Sequence, residues 1–235
     1  MSAAGVRRDR ARTSRIVALA TVLVAAAALV VALRLGDGDR ARYVAAVDML
    51  GNPVVPDADA RVTTAQAAAM RIAPTGLRLQ VPSVGLDVPV DALTAIDGTV
   101  TPPGFAEAYW VRNVGVAPAD AATGTVFLVA HSTRGGAVAP GNYLIDIPGQ
   151  RSAVADGAVI DLGGLRYRVT GSRVLAKTDI AGEASVWQDV PGRLQIVTCL
   201  QRSTEAGVPS VSNLVITAQM DSTPTVNASS PEARS

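Results

Sequence analysis

The chain has 235 residues, a net charge of +1, one cysteine, one histidine and 3% aromatic residues. A chain so nearly neutral has no broad basic surface for nucleic acid. A single cysteine excludes an internal disulfide and a cysteine-rich metal site, and a single histidine excludes a histidine-cluster site.

Residues 1–15 are polar and basic, with Arg7, Arg8, Arg10, Arg12 and Arg15 against one acid, Asp9. Residues 16–33 follow as an apolar run broken only by Thr21. That length predicts a transmembrane signal-anchor helix, and the arginines place its leading end in the cytoplasm. A cleaved signal peptide is the alternative. The rest of the chain is then expected outside the cell. Residues 34–76 read as an extracellular stalk. They contain the breaker cluster at 36–39, turn signals at Asn52-Pro53 and Pro56-Asp57, and a short helix over 60–70.

From Leu77 the pattern alternates. Leu77, Leu79 and Val81 share one face of a first strand, and residues 86–90 form a second. Asp97-Gly98 is a hairpin-type turn signal followed by Thr99-Val100-Thr101, before Pro102-Pro103-Gly104 breaks the chain. Residues 108–111 are apolar, and 125–131 form a strand that ends in His131. Residues 158–162 and 165–175 pair across Gly163-Gly164. Residues 193–199 form a strand that ends in Cys199, 213–219 form the last strand, and 221–235 is a Ser/Thr/Pro-rich tail expected to be disordered. About eight short strands with little helix predict an all-β domain over 77–220, a closed or nearly closed barrel.

Cys199 and His131, each the only one of its kind and each ending a strand, are the minimum parts for nucleophilic catalysis by a thiolate. Taken singly, a buried cysteine is a small hydrophobe and a lone histidine a structural hydrogen-bonding group. The loop 132–142 is glycine-rich and borders the expected groove, with Arg134 read as a solvated surface arginine and, as the alternative, as a group that meets a carboxylate there. Trp187 and Trp110 are each open to two readings, groove lining or core.

Four segments in order carry a family resemblance. They are residues 78–87 with Val88-Pro89-Val90 behind them, Val129-Ala130-His131, Ile196-Val197-Thr198-Cys199, and residues 214–218. On these, residues 77–220 resemble the sortases, membrane-anchored cysteine transpeptidases of Gram-positive bacteria. The resemblance implies a closed eight-stranded sortase-type β-barrel. It also implies cleavage of a C-terminal sorting signal of the Leu-Pro-x-Thr-Gly kind, through a thioacyl-enzyme, and transfer to an amine of the cell wall or of a pilin. Cys199 is then the nucleophile and His131 the general acid and base. Thr198, Ala130, Trp187 and Asn213 are implied as substrate-binding residues. No cofactor is implied and no metal is assigned.

One departure from the family pattern matters. The family's essential arginine lies at or just before the last strand, where this chain has Ser210-Val211-Ser212-Asn213. Arg202 is the expected substitute, because a developing oxyanion favours a charged donor over a neutral one such as Asn213. Two other readings stay open. One is a cysteine acyl-transferase of peptidoglycan, although the Ser-x-Gly-Cys context of the L,D-transpeptidases is absent. The other is a catalytically inactive, anchored β-domain that binds a surface protein.

Overall fold

The computed structural model describes residues 42–221. The anchor helix expected over 16–33 and nearly all of the tail lie outside them. Eight strands close into a barrel: β1 (Ala73–Val81), β2 (Leu86–Leu93), β3 (Ala108–Gly115), β4 (Thr125–Ala130), β5 (Val159–Leu162), β6 (Leu165–Ala176), β7 (Arg193–Leu200) and β8 (Ser212–Met220). Their order around the barrel is β6-β8-β7-β4-β3-β2-β1-β5, with β5 returning to β6. Two pairings are parallel, β2 with β3 and β4 with β7; the others are antiparallel.

The barrel follows from side-chain alternation. In β2, Leu86, Val88 and Val90 are buried while Asp87 and Pro89 are exposed. Period-2 patterning of this kind puts one face of each strand into a shared interior. Leu79, Val81, Leu128, Ile160, Leu162, Leu194, Ile196, Leu214 and Ile216 fill it from every side, with Tyr167 as the large aromatic among them. Pro89 cannot donate to a ladder, and it sits just before the β2–β3 pairing begins at Val90 and Ala108. The β5–β6 hairpin turns on Gly163 and Gly164, both at positive φ, as a two-residue turn between Leu162 and Leu165 demands.

One expectation changes, and one turn signal stays local. Thr99 makes only an isolated bridge to Ile96 across the Asp97-Gly98 turn, and the prolines at 102 and 103 then end any pairing. The described part of the expected stalk is also folded against the barrel domain. Val44 N donates to Val62 O (2.9 Å), Met49 N donates to Val138 O (2.8 Å), and Ala46, Asp48, Val62 and Met70 are buried. Asp48 acts as a clip, its carboxylate accepting from the amides of Leu50, Asn52 and Val138. The helix expected over 60–70 is α1 (Thr64–Ala69), opened by a capping box between Thr63 and Gln66. The first strand begins at Ala73, four residues before the sequence pattern shows it. Among the described residues no helix is long and apolar enough to cross a membrane.

Candidate active site

Strands β4 and β7 run parallel, with Ala130 opposite Thr198. The next residues are His131, just past the end of β4, and Cys199, still on β7. Neighbours in register project on the same side of a sheet, so the imidazole and the thiol open into the same space, a cleft of about 910 Å³. Apolar side chains of Val100, Val114, Val129 and Val197 make much of its wall, with Phe105 and Trp187.

His131 is held on two sides. Its ring stacks on Phe105 with centroids 4.0 Å apart and planes 10° from parallel. Its Nε2 is 2.8 Å from Pro102 O. A carbonyl oxygen only accepts, so Nε2 keeps its proton there and Nδ1 is the nitrogen left to titrate. Burial lowers the imidazole pKa, against the raising effect of the Pro102 bond and of the Asp59 charge. Cys199 is half-buried. Burial raises its pKa, the Lys177 ammonium opposes that rise, and Asp59 and Asp57 add to it.

A polar network locks the two strand ends together. Ser132 Oγ donates to Cys199 O (2.6 Å), and Gln201 Nε2 donates to Ser132 O (3.0 Å) and Ser132 Oγ (2.9 Å). Arg134 Nη1 donates to Gln201 Oε1 at 3.1 Å, while its Nη2 lies 2.6 Å from both carboxylate oxygens of Asp57. The Arg134 side chain is only 9% exposed. The arginine expected to be solvated is instead a packed part of the cleft wall, because Asp57 folds back onto it.

The candidates named from sequence separate clearly. Ala130, Thr198, Trp187 and Asn213 all line the cleft with Cys199 and His131. Asn213 sits directly opposite Cys199 on β8. Trp187 closes α2 (Ala184–Trp187), stacks on Phe127 and donates through Nε1 to Ile180 O at 2.6 Å. It therefore has a core contact and a cleft face at once. Thr198 turns its hydroxyl inward, where it is buried without a hydrogen-bond partner among the described residues. Arg202 is not brought to the cleft. Its side chain is exposed and its Nε donates to Pro209 O at 3.1 Å, because the loop after β7 caps its own return rather than doubling back over the thiol.

A second cation of the cleft, beside the thiol, went unread in the sequence. Lys177, one residue past β6, has Nζ 3.0 Å from Asp59 Oδ2 and lines the cleft beside Cys199. Partial burial works against its charge, but the Cys199 sulfur and the Asp59 carboxylate outweigh it and raise its pKa. Asp59, in turn, is lowered by its bond to Lys177. One signal was present: Lys177 is the only lysine in a chain whose other cationic side chains are arginines.

Fold and site together define a closed β-barrel with a thiol, an imidazole and an ammonium in one mostly apolar cleft. No protein-family model and no curated protein matches the chain. Solved structures similar to it are sortases. Sortase A of Listeria monocytogenes is 21% identical with a TM-score of 0.44, over 62% of this chain and 86% of that one. Sortase C-1 of Actinomyces oris is 19% identical with a TM-score of 0.43, over 67% and 82%. Sortase C-1 of Streptococcus pneumoniae is 14% identical with a TM-score of 0.44, over 61% and 65%. At these identities and scores the likeness assigns no role to any residue of this chain.

Proposed function

We propose that the chain is a sortase-type cysteine transpeptidase. On this reading it cleaves a sorting signal of the Leu-Pro-x-Thr-Gly kind and passes the acyl group to an amine of the cell wall or of a pilin. It works at the outer face of a membrane, anchored through residues 16–33. The observation that carries the reading is the β4–β7 register, which sets His131 and Cys199 side by side at the head of one cleft.

The chemistry runs as acyl transfer. The Cys199 thiolate forms a bond to the carbonyl carbon of the scissile peptide, and the carbonyl oxygen takes the negative charge. The carbon–nitrogen bond breaks as the His131 imidazolium gives its proton to the leaving amine, leaving a thioester on Sγ. An incoming amine then attacks the thioester, His131 takes its proton, and the thiolate departs. The valines that make much of the wall disfavour water in this second half, which favours the amine.

Intact-mass spectrometry tests the proposal. The full chain in detergent is incubated with a Leu-Pro-x-Thr-Gly-type peptide library and a peptide amine, alongside Cys199→Ala and His131→Ala. A thioacyl adduct on Cys199 and an amine-linked product, both absent from Cys199→Ala, are expected. A folded wild type with an alkylatable thiol that yields neither with any peptide would sink the reading.

A further inference from the structure

We propose that Lys177 is the third catalytic group of this site, the resident cation that stabilises the Cys199 thiolate and the oxyanion formed during its attack. The proposal rests on the transpeptidase reading above. That chemistry places negative charge first on sulfur and then on a carbonyl oxygen, in a cleft with mostly apolar walls. The imidazolium cannot neutralise it throughout, because it surrenders its proton to the leaving amine. A charge that persists is needed, and preorganised cations of this kind act most strongly where water is excluded.

Among the described residues, three cationic side chains stand near the end of β7. Arg202 points away, to Pro209 O on the surface. Arg134 is committed to Asp57 and to Gln201 Oε1, which fix the strand ends. Lys177 alone is held loosely enough to turn to a substrate. Its charged partner in the cleft is Asp59, whose side chain is 63% exposed, so water or an incoming substrate can take the carboxylate's place. An ammonium has three donors, and Asp59 Oδ2 occupies one.

Strand register brings Lys177 there. Cys199 pairs with Asn213 on β8, and Asn213 pairs with Leu175 on β6. Lys177 lies two residues beyond Leu175, hence on the same face. Its amide donates to Val211 O at 2.9 Å, which sets it opposite the chain just before β8. The cation missing from residues 210–213 is therefore supplied from the adjoining strand. Lysine also suits the place better than arginine: a compact point charge fits between a carboxylate and a sulfur, where a planar fork would not. Lys177 keeps its proton throughout and exchanges no bond. Asp59 restrains it in the resting site, and the Asp59 charge opposes the thiolate.

The test reads the thiol directly. The charged and titratable groups around Cys199 are Lys177 from β6, His131 from the end of β4, Arg134 from the following loop, and Asp57 and Asp59 from the segment before α1. Cys199 alkylation by iodoacetamide is followed against pH by intact mass on the full chain. Lys177→Met is expected to slow alkylation at neutral pH about tenfold, by lowering the thiolate fraction. Lys177→Arg is expected to stay within about threefold of wild type because the charge remains. Asp59→Asn is expected to accelerate alkylation, and it decides the matter if Lys177→Met fails to fold. Lys177→Met and Asp59→Asn both alkylating at the wild-type rate across pH would overturn the proposal, as would a slowing in Arg202→Met equal to that in Lys177→Met. Failure of the underlying reading looks different. The thiol would respond to Lys177 as stated, yet wild type would form no amine-linked product with any peptide, and the hold on the thiolate would stand without the transfer.

Discussion

Gln201 Nε2 donates to the Ser132 carbonyl at 3.0 Å, and that bond ties the strand carrying the cysteine to the strand carrying the histidine. Gln201 is buried, and it also serves Ser132 Oγ and receives Arg134. Gln201→Ala removes all three bonds and takes from the buried Ser132 carbonyl its side-chain donor, while Ser132 Oγ keeps Cys199 O and Arg134 keeps Asp57; the loss should cost about 1–3 kcal/mol in urea unfolding. The β4–β7 register at the site loosens as well, so kcat/KM should fall further than stability alone explains. An unchanged urea midpoint would show that the network is decorative.

The surroundings of His131 fix a pH dependence. Burial holds the imidazole below its ordinary 6.5 and the Cys199 thiol above its ordinary 9.0. A reaction that uses both groups should therefore show a broad plateau in kcat/KM, with its acid limb below 6.5 and its alkaline limb above 9.0. Phe105→Ala exposes the stacked ring face to water and should move the acid limb upward. The same shifts act on stability. A histidine with a depressed folded pKa contributes stability that is complete above 6.5 and lost as pH falls through its folded value. A cysteine with a raised folded pKa contributes stability complete below 9.0 and lost as pH rises through its folded value. Thermal melts of wild type and His131→Gln across pH 5–7 check the histidine part, since the variant should lose less stability toward acid.

The two strand ends were readable because each is a local apolar run closed by a residue type used once. Turn chemistry at Gly163-Gly164 was readable for the same reason. What the chain order hid was set by distant contacts. Lys177 meets Cys199 only through two strand pairings, and Asp57 and Asp59 belong to a stretch whose turns and alanines resemble a spacer. The local pattern around Arg134 does not show which carboxylate it meets; it becomes packed when the distant Asp57 closes on it. Arg202 looked suitable by proximity in sequence, but a strand moves its residues to alternate faces, and the loop beyond β7 carries this one outward.

Arg202→Ala should consequently leave the reaction alone. Its hydrogen bond is to Pro209 O on an exposed loop, and it does not line the cleft. A surface change of this kind is expected to alter stability by under about 0.5 kcal/mol. Steady-state kcat/KM equal to wild type supports the placement, whereas a loss of tenfold or more in a folded variant would return Arg202 to the site.

Thr198 separates a structural from a binding role. Its hydroxyl is buried without a partner among the described residues, so removing it while keeping the shape relieves an unpaired polar group. Thr198→Val is expected to raise the unfolding free energy by about 1 kcal/mol. A substrate that reaches only the outer face of β7 loses nothing, and KM should hold. A raised KM with unchanged stability would mean that the hydroxyl turns to meet the substrate backbone.

Gly141 shows how closely the loop after β4 packs on the site. Its amide donates to His131 O at 2.7 Å, and a Cβ at this position would meet Thr198 Oγ1 and stand 2.6 Å from His131 O. Backbone yields less readily than a side-chain tip, so Gly141→Ala must push the end of β4 and carry His131 with it. Overpacking of this kind costs about 1–3 kcal/mol. Two collisions are involved, and they can be separated. Thr198→Ala in the same chain removes the hydroxyl but leaves the His131 carbonyl, so the double variant should regain part of the lost stability while kcat stays low. Urea midpoints and kcat for the two single variants and the pair make the comparison. Full recovery of both would place the fault in the hydroxyl alone and release His131 from any dependence on Gly141, whereas recovery of stability without kcat ties the histidine's position to the glycine.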